Sequence, residues 1–147
     1  MTAHALSLTA GISNNSVSHF EANSRLPRLS TLECIANALR ISPGWLAFGA
    51  EASWVPFDGL RCEGLATRLQ AVRSANTLTL RELDRRAEIS TGASRAIEAG
   101  GMPTLDTIEL VARALGVSPA WLAYGEGPME APTRRRATQT GQTHANE

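Results

Sequence analysis

Apolar residues in the second half of the chain recur at the three- and four-residue spacing of amphipathic helices. Leu65, Leu69 and Val72 lie at positions i, i+4 and i+7, and they predict a first helix with one apolar face. Residues 79–82, Thr-Leu-Arg-Glu, have the form of a capping box, in which the hydroxyl and the carboxylate each satisfy an unpaired backbone N–H. They predict a second, capped helix that turns Leu83 inward.

Three further helices are predicted downstream of the capping box. After a break in the pattern, Ser90 is a suitable N-cap for a third helix, which a pair of glycines ends. Thr104 is the expected cap of a fourth helix with a continuous apolar face. Ser118 opens a fifth, because it offers a capping hydroxyl and is followed by a proline at the first helical position.

A second version of this pattern lies earlier in the chain. The stretch Pro-Gly-Trp-Leu-Ala-Phe-Gly at 43–49 returns as Pro-Ala-Trp-Leu-Ala-Tyr-Gly at 119–125, and residues 36–42 match residues 112–118. Matches this dense and in the same order indicate an internal repeat. The predicted organisation is an incomplete repeat at 1–50, a linker at 51–61, a complete domain at 62–127 and a disordered polar tail at 128–147.

The first repeat begins late relative to the second. Thr2 is the counterpart of Thr79, so no sequence supplies a first helix in this copy. An apolar face left open in this way must be covered. A second chain covers it, the second repeat covers it, or the true start lies upstream, and the sequence does not choose among these. The linker contains Trp54, Val55 and Phe57, which we expect to pack against a repeat.

Composition narrows the class of protein. Hydrophobic residues make up 43% and charged residues 19%, as in ordinary globular proteins. No apolar run is long enough for a membrane span, and the N-terminal sequence lacks the features of a secretion signal, so we expect a cytoplasmic protein with no membrane partner. The formal net charge is +0, which supplies no long-range attraction to phosphates and weighs mildly against nucleic-acid binding.

Residues with catalytic or metal-binding potential are scattered. Cys34 and Cys62 have no second ligand at a metal-site spacing, and we interpret them as reduced structural thiols. His4, His19 and His144 form no cluster, and there is no Gly-rich phosphate loop. We therefore predict that the protein is not an enzyme and needs neither a metal nor a cofactor.

The order of the elements, with the ending Ala-Leu-Gly-Val-Ser-Pro-Ala-Trp-Leu at 114–122, resembles the phage-repressor (lambda repressor/Cro-like) helix-turn-helix family. The likeness covers residues 2–50 in part and residues 62–127 in full. It implies an all-α fold of tandem helix-turn-helix bundles, each of four to five short helices. It also implies a transcriptional regulator that binds specific sites in double-stranded DNA as a dimer, which is either a homodimer, the form we expect, or a pseudo-symmetric tandem.

In this family the third helix enters the major groove with its N-terminal residues at base edges. Carried over to the first repeat, the resemblance implies that the polar residues of this helix contact DNA: Asn14, Asn15, Ser16, Ser18 and His19. Asparagine can pair bidentately with adenine, which suits the two adjacent asparagines. A second interpretation stays open, in which Asn and Ser only cap and solvate the start of a helix.

The second repeat has fewer residues suited to DNA. The resemblance implies contacts at the start of the second helix and in the turn and third helix: Thr79, Arg81, Thr91, Gly92 and Arg95. Leu80 stands where the family often has Gln, and Ser94 stands where it usually buries an apolar residue. These departures weaken direct base readout by the second repeat. The neutral charge, with Leu80, Gly92 and Ala93, favours an alternative function, a helical protein-interaction or dimerisation module that has lost DNA binding.

Overall fold

The computed structural model describes residues 2–12 and 26–131, and these ranges are all-α, as predicted. The first repeat contributes α1 (Ala3–Ala10), α2 (Leu29–Leu39) and α3 (Pro43–Phe48). A short 3₁₀ turn (Arg61–Gly64) then leads into the second repeat, which consists of α4 (Leu65–Ala75), α5 (Leu80–Ala87), α6 (Ala93–Glu98), α7 (Leu105–Leu115) and α8 (Pro119–Tyr124). Within the described residues, no helix is long and apolar enough to cross a bilayer.

Side-chain caps set the starts of several helices. The Oγ1 atom of Thr79 accepts the N–H of Glu82 at 3.0 Å, and Oε1 of Glu82 accepts the N–H of Thr79 at 2.8 Å, which completes the predicted capping box. Ser118 caps α8 by accepting the N–H of Trp121 at 3.3 Å, and Pro119 is the first helical residue. Both predicted helix starts are confirmed.

The repeat in the sequence is also a repeat in backbone conformation. Each helix in the described part of the first repeat ends on a left-handed residue, and so does its counterpart in the second repeat; the pairs are Gly11 with Glu88, Arg40 with Gly116, and Gly49 with Gly125. In every pair the N–H of the left-handed residue returns to carbonyl groups of the last helical turn, which satisfies acceptors that the helix leaves unpaired.

One hydrophobic core serves both repeats. The predicted face of α4, formed by Leu65, Leu69 and Val72, is buried, as are apolar residues from each of the other helices of the second repeat. Leu29 and Leu32 of α2 belong to the same cluster. The two repeats therefore stabilise each other, because each buries apolar surface that the other would expose to water.

The linker packs on α2 through one of its three large apolar residues. The indole Nε1–H of Trp54 donates to Oδ1 of Asn37 at 3.1 Å, and the guanidinium carbon of Arg40 lies 5.8 Å from the centroid of the Trp54 ring. Val55 and Phe57 are 57% and 55% exposed. The expectation that all three pack against a repeat is therefore right for Trp54 alone.

The end of the linker is anchored by Glu33, which is fully buried in α2. Its carboxylate accepts the backbone N–H of Arg61 and, at 2.9 Å, that of Cys62, so it caps the start of the 3₁₀ turn. Burial, with a further contribution from Glu33, raises the pKa of the Cys62 thiol well above its usual value. Cys34 and Cys62 are both free thiols.

Candidate nucleic-acid interface

The turn between α5 and α6 is organised by Asp84, a buried residue within α5. Its Oδ2 atom accepts the N–H of Gly92 at 2.8 Å, and its Oδ1 atom accepts the N–H of Ser94 at 2.9 Å. These N–H groups belong to the start of α6, where a helix has no carbonyl partner of its own. Burial alone would raise the pKa of Asp84, but hydrogen bonds from Ser94 and Gly92 outweigh it and hold the pKa below its usual value.

The third helix of this repeat begins later than the sequence predicted. Gly92, with a φ of 93°, is the N-cap of α6, and Ser90 is an exposed residue of the preceding turn. The prediction that Ser90 caps this helix is wrong. The physical reason is that Asp84, one helix earlier, supplies the capping carboxylate, so the turn does not need a capping hydroxyl of its own.

Two of the predicted contact residues come together beside this turn. Arg81 and Thr91 line one shallow cleft at the junction of α5 and α6, together with Arg85, the half-buried Ile89 and the hydrogen-bonded carboxylate residue Asp84. Arg95 is exposed in the first turn of α6, outside the lining of the cleft. The second repeat therefore presents a cleft with two arginines next to Thr91 and Arg95, the exposed residues around the start of its third helix.

The other two predicted contact residues of this repeat, Thr79 and Gly92, form hydrogen bonds within the fold. The hydroxyl oxygen of Thr79 accepts a helix N–H, so the hydroxyl proton is the group left to donate to a phosphate. The N–H of Gly92 is donated to Asp84, and the residue has no side chain. Gly92 thus contributes a left-handed backbone to the turn, while its own N–H is engaged within the fold.

Sequence reasoning missed Arg85 and Asp84. Arg85 follows Arg81 by four residues, and residues four apart in a helix lie on the same face, so this spacing could have placed it beside Arg81. Asp84 sits between Leu83 and Ala87, two core residues of α5. An acidic residue next to a core residue indicates a buried carboxylate that caps another helix. The neighbouring sequence does not indicate which backbone N–H groups that carboxylate accepts.

Two of the acidic side chains near this surface are engaged in contacts within the fold. Asp84 is buried in its cap, and Glu98 at the end of α6 forms an ion pair with Arg73 of α4, with 2.6 Å between Oε2 and Nε and 3.1 Å between Oε1 and Nη2. Glu82 and Glu88 remain exposed. The same elements carry four exposed arginines: Arg81, Arg85, Arg86 and Arg95. The surface is therefore locally basic in a chain whose net charge is zero.

The predicted contact residues of the first repeat lie outside the described residues: Asn14, Asn15, Ser16, Ser18 and His19. The described part of this repeat begins with Thr2, whose Oγ1 accepts the N–H of Ala5 at 3.0 Å and caps α1 as Thr79 caps α5. Ser7, the counterpart of Asp84, is fully buried. α1 is therefore the counterpart of α5 in its cap and in its buried polar residue.

A helix-turn-helix family model matches the chain twice, over residues 1–46 and over residues 69–122. The two matches fall on the two repeats and together cover more than half of the 147 residues. No solved structure matches the chain significantly. The capped α5, the short turn and α6 supply the helix, turn and helix that the family model describes. The chain belongs to the lambda repressor/Cro-like helix-turn-helix family, of which it contains two copies.

Proposed function

We propose that the protein is a sequence-specific transcriptional regulator of the phage-repressor type, which binds double-stranded DNA through α5 and α6 of its second repeat. The observation that carries this proposal is the cleft at the α5–α6 junction, where Arg81, Arg85 and Thr91 lie close to the start of α6 and its exposed Arg95. A cleft with two arginines next to the start of a third helix suits a DNA backbone that passes beside the major groove.

Each residue of this surface has a role that its chemistry suits. Arg81 and Arg85 lie on one face of α5 and bind phosphate oxygens, and the hydroxyl of Thr91 donates to a phosphate beside them. Arg95, in the first turn of α6, contacts base edges, where a guanidinium pairs bidentately with guanine O6 and N7. The phosphate contacts of Arg81, Arg85 and Thr91 determine affinity and position on the duplex. The base contacts of Arg95 determine sequence preference.

The first repeat supplies further contacts in this proposal. Its asparagine pair, Asn14 and Asn15, reads adenine, and Ser16, Ser18 and His19 contact bases or phosphates nearby. The dimeric arrangement typical of the family is provided either by a second chain or by the second repeat.

A second candidate function is a protein-interaction module that has lost DNA binding. The observation that favours it is the amount of apolar surface outside the core, including Trp45 at 53% and Phe57 at 55% exposure. α6 also places Ala93 and Ala96 on either side of Arg95, which leaves few side chains able to read bases. This candidate predicts a protein partner and no preference among duplexes.

Selection from a random duplex pool, followed by fluorescence anisotropy over a salt series, tests the proposed function. We expect the pool to converge on one motif, with affinity that falls as salt rises because counterions are released from the phosphates. The double variant Arg81→Ala/Arg85→Ala weakens binding to every duplex and lowers the salt dependence, whereas Arg95→Ala relaxes preference at one position.

The single variant Arg81→Ala, made alongside the double variant, has a matched control in Arg86→Ala, which removes the same charge from the same helix but lies outside the lining of the cleft. A loss of affinity equal to that caused by Arg81→Ala would mean that the cleft has no special role. A pool that does not converge, with weak binding independent of sequence, would contradict the proposal and favour the interaction module.

A further inference from the structure

The two repeats contact each other as the halves of a symmetric dimer do. The backbone N–H of Leu29 donates to the carbonyl of Pro103 at 3.1 Å, and the N–H of Leu105 donates to the carbonyl of Pro27 at 3.3 Å. Pro27 and Leu29 are the counterparts of Pro103 and Leu105 in the repeat. Equivalent residues thus exchange the same bond in both directions, which is the mark of a two-fold axis between the repeats.

The same axis relates α3 and α8, which form the most extensive helix–helix contact in the described chain. The rings of Phe48 and Tyr124, which are counterparts, lie with centroids 6.3 Å apart. A Cβ atom added at Gly44 would lie 3.1 Å from Cβ of Ala120, its counterpart. The short helices at the ends of the two repeats therefore pack on each other around the axis.

One hydrogen-bonded contact of a carboxylate across this interface has no symmetric partner. Oε1 of Glu126 accepts the hydroxyl of Ser42 at 2.9 Å and the N–H of Gly44 at 2.7 Å, at the start of α3. Glu126 is buried, so these bonds to a charged acceptor are strong. The counterpart of Glu126 in the first repeat is Ala50, which has no carboxylate. The contact is therefore made in one direction only.

Two further features distinguish one side of the interface from the other. The hydroxyl of Tyr124 donates to the carbonyl of Leu29 at 3.0 Å, whereas its counterpart Phe48 has no hydroxyl. Gly44 leaves space for the carboxylate, since a Cβ there would lie 2.5 Å from Oε1 of Glu126. The counterpart of Gly44 is Ala120, which carries that Cβ.

These differences disfavour the pairing of like repeats. Two second repeats would bring the methyl group of Ala120 against the carboxylate of Glu126. Two first repeats would have Phe48 and Ala50 in place of the hydroxyl and the carboxylate. The surface makes favourable contacts to the unlike repeat that a like repeat would not reproduce, because the carboxylate would have to move away from the methyl group of Ala120.

We infer that this interface pairs the two repeats of one chain, so that a single chain, and not a homodimer, binds DNA at two unlike half-sites in inverted order. The inference rests on the proposed function for its DNA partner. A linker between the repeats favours the intramolecular pairing, because it raises the effective concentration of each repeat near the other.

The length of chain between α6 and the axis limits how far apart they lie. α6 ends at Glu98, six residues before Thr104, which forms a backbone bridge with Arg28 at the axis. Six residues span at most about 20 Å, so the end of α6 lies within that distance of the bridge. Half-sites one helical turn apart require α6 to lie about 17 Å from the two-fold axis, which this limit permits.

Light scattering and a stoichiometric titration of the full chain test the inference. We expect the mass of one chain, 15.7 kDa, from low micromolar to several hundred micromolar concentration. The titration of the selected duplex should saturate at one chain per duplex, and the selected motif should contain two different half-sites in inverted order.

The variant Glu126→Ala probes the interface, with the exposed Glu109→Ala of α7 as a control of equal charge change. We expect Glu126→Ala to lower Tm by several degrees and to weaken binding to the selected duplex by about ten-fold or more, and Glu109→Ala to change neither. If Glu126→Ala does not fold, the wild-type chain still provides a test, because an intramolecular interface gives a Tm independent of protein concentration.

The outcomes for this inference and for the proposed function are separable. A mass of two chains, a Tm that rises with concentration, or two chains per duplex would overturn the single-chain pairing and leave the DNA-binding function in place. A monomer whose Tm does not depend on concentration, but which prefers no duplex, would support the pairing of the repeats and overturn the proposed function.

Discussion

Asp84 connects the two helices of the helix-turn-helix unit through a single side chain. Its two carboxylate oxygens accept N–H groups that would otherwise be unpaired at the start of α6. A buried acceptor with two donors is costly to remove, because each donor is left without a partner. The residue therefore determines where α6 begins and how it is joined to α5.

We expect Asp84→Asn to destabilise the protein by about 1–3 kcal/mol at neutral pH, because one carboxylate oxygen becomes an amide group that cannot accept. Urea unfolding measures this change, and Glu88→Gln at the exposed end of α5 is the matched control.

The pH dependence of that difference provides a second measurement. The folded-state pKa of Asp84 lies below its unfolded value, so the contribution of its charge is present above pH of about 4 and is lost as the pH falls through the folded pKa. The difference in stability between the wild type and Asp84→Asn should therefore shrink progressively as the pH falls below about 4. A constant difference from pH 7 down to pH 3 would show that the charge of the carboxylate does not hold the turn.

Gly92 is required for its backbone conformation. At its φ of 93° a side chain is strained, although no atom lies within 4 Å of the position a Cβ would take. We expect Gly92→Ala to cost about 1–2 kcal/mol of stability and also to weaken DNA binding, because the start of α6 shifts. Gly116→Ala is the control, since Gly116 has a φ of 72° and equally open surroundings but lies outside the α5–α6 turn. Equal effects of both variants on DNA affinity would contradict the prediction.

At the scale of the element, α6 is too short to be stable by itself. It has six residues, and isolated helices of this length do not persist in water. Asp84 holds its first turn, and the Arg73–Glu98 ion pair ties its last residue to α4. Arg73 also donates to the carbonyl of Leu78, so this side chain joins three segments of the repeat.

A double-mutant cycle on Arg73→Ala and Glu98→Ala tests this attachment. Because the pair is bidentate and mostly shielded from water, we expect a coupling free energy of about 0.5–3 kcal/mol, with each single variant weakening DNA binding through the position of α6. The pair Arg113→Ala and Glu109→Ala on the exposed face of α7 serves as a surface reference. Additive effects at residues 73 and 98 would mean that the ion pair does not hold the helix.

At the scale of the whole molecule, the shared core predicts that the repeats unfold together. Leu29 and Leu32 of the first repeat lie in the core cluster of the second, and Glu33 holds the start of the 3₁₀ turn. We expect one transition, with the same midpoint by far-ultraviolet circular dichroism and by the fluorescence of Trp45 or Trp121, each isolated by replacing the other tryptophans with phenylalanine. Separate midpoints for the two tryptophans would show that the repeats are independent.

Much of the local structure was predictable from the sequence. The capping box at residues 79–82, the Ser118 cap and the apolar face of α4 depend on residues within a few positions of each other, and propensity and periodicity describe such short-range effects well. The internal repeat and the family were also visible, because they are properties of the residue order itself.

Other features were decided by the tertiary structure. The cap of α6 comes from a residue 8 to 10 positions away, which is why the expectation for Ser90 was wrong. Packing decided that Trp54 is partly buried while Val55 and Phe57 are exposed. The bond between Ser42 and Glu126 joins residues 84 positions apart. The residue order determined which helices form and how they begin, because those interactions are local. Only the folded chain determined that the arginines of α5 share a cleft with Thr91 and how the repeats pair, because those contacts exist only after separate segments have packed together.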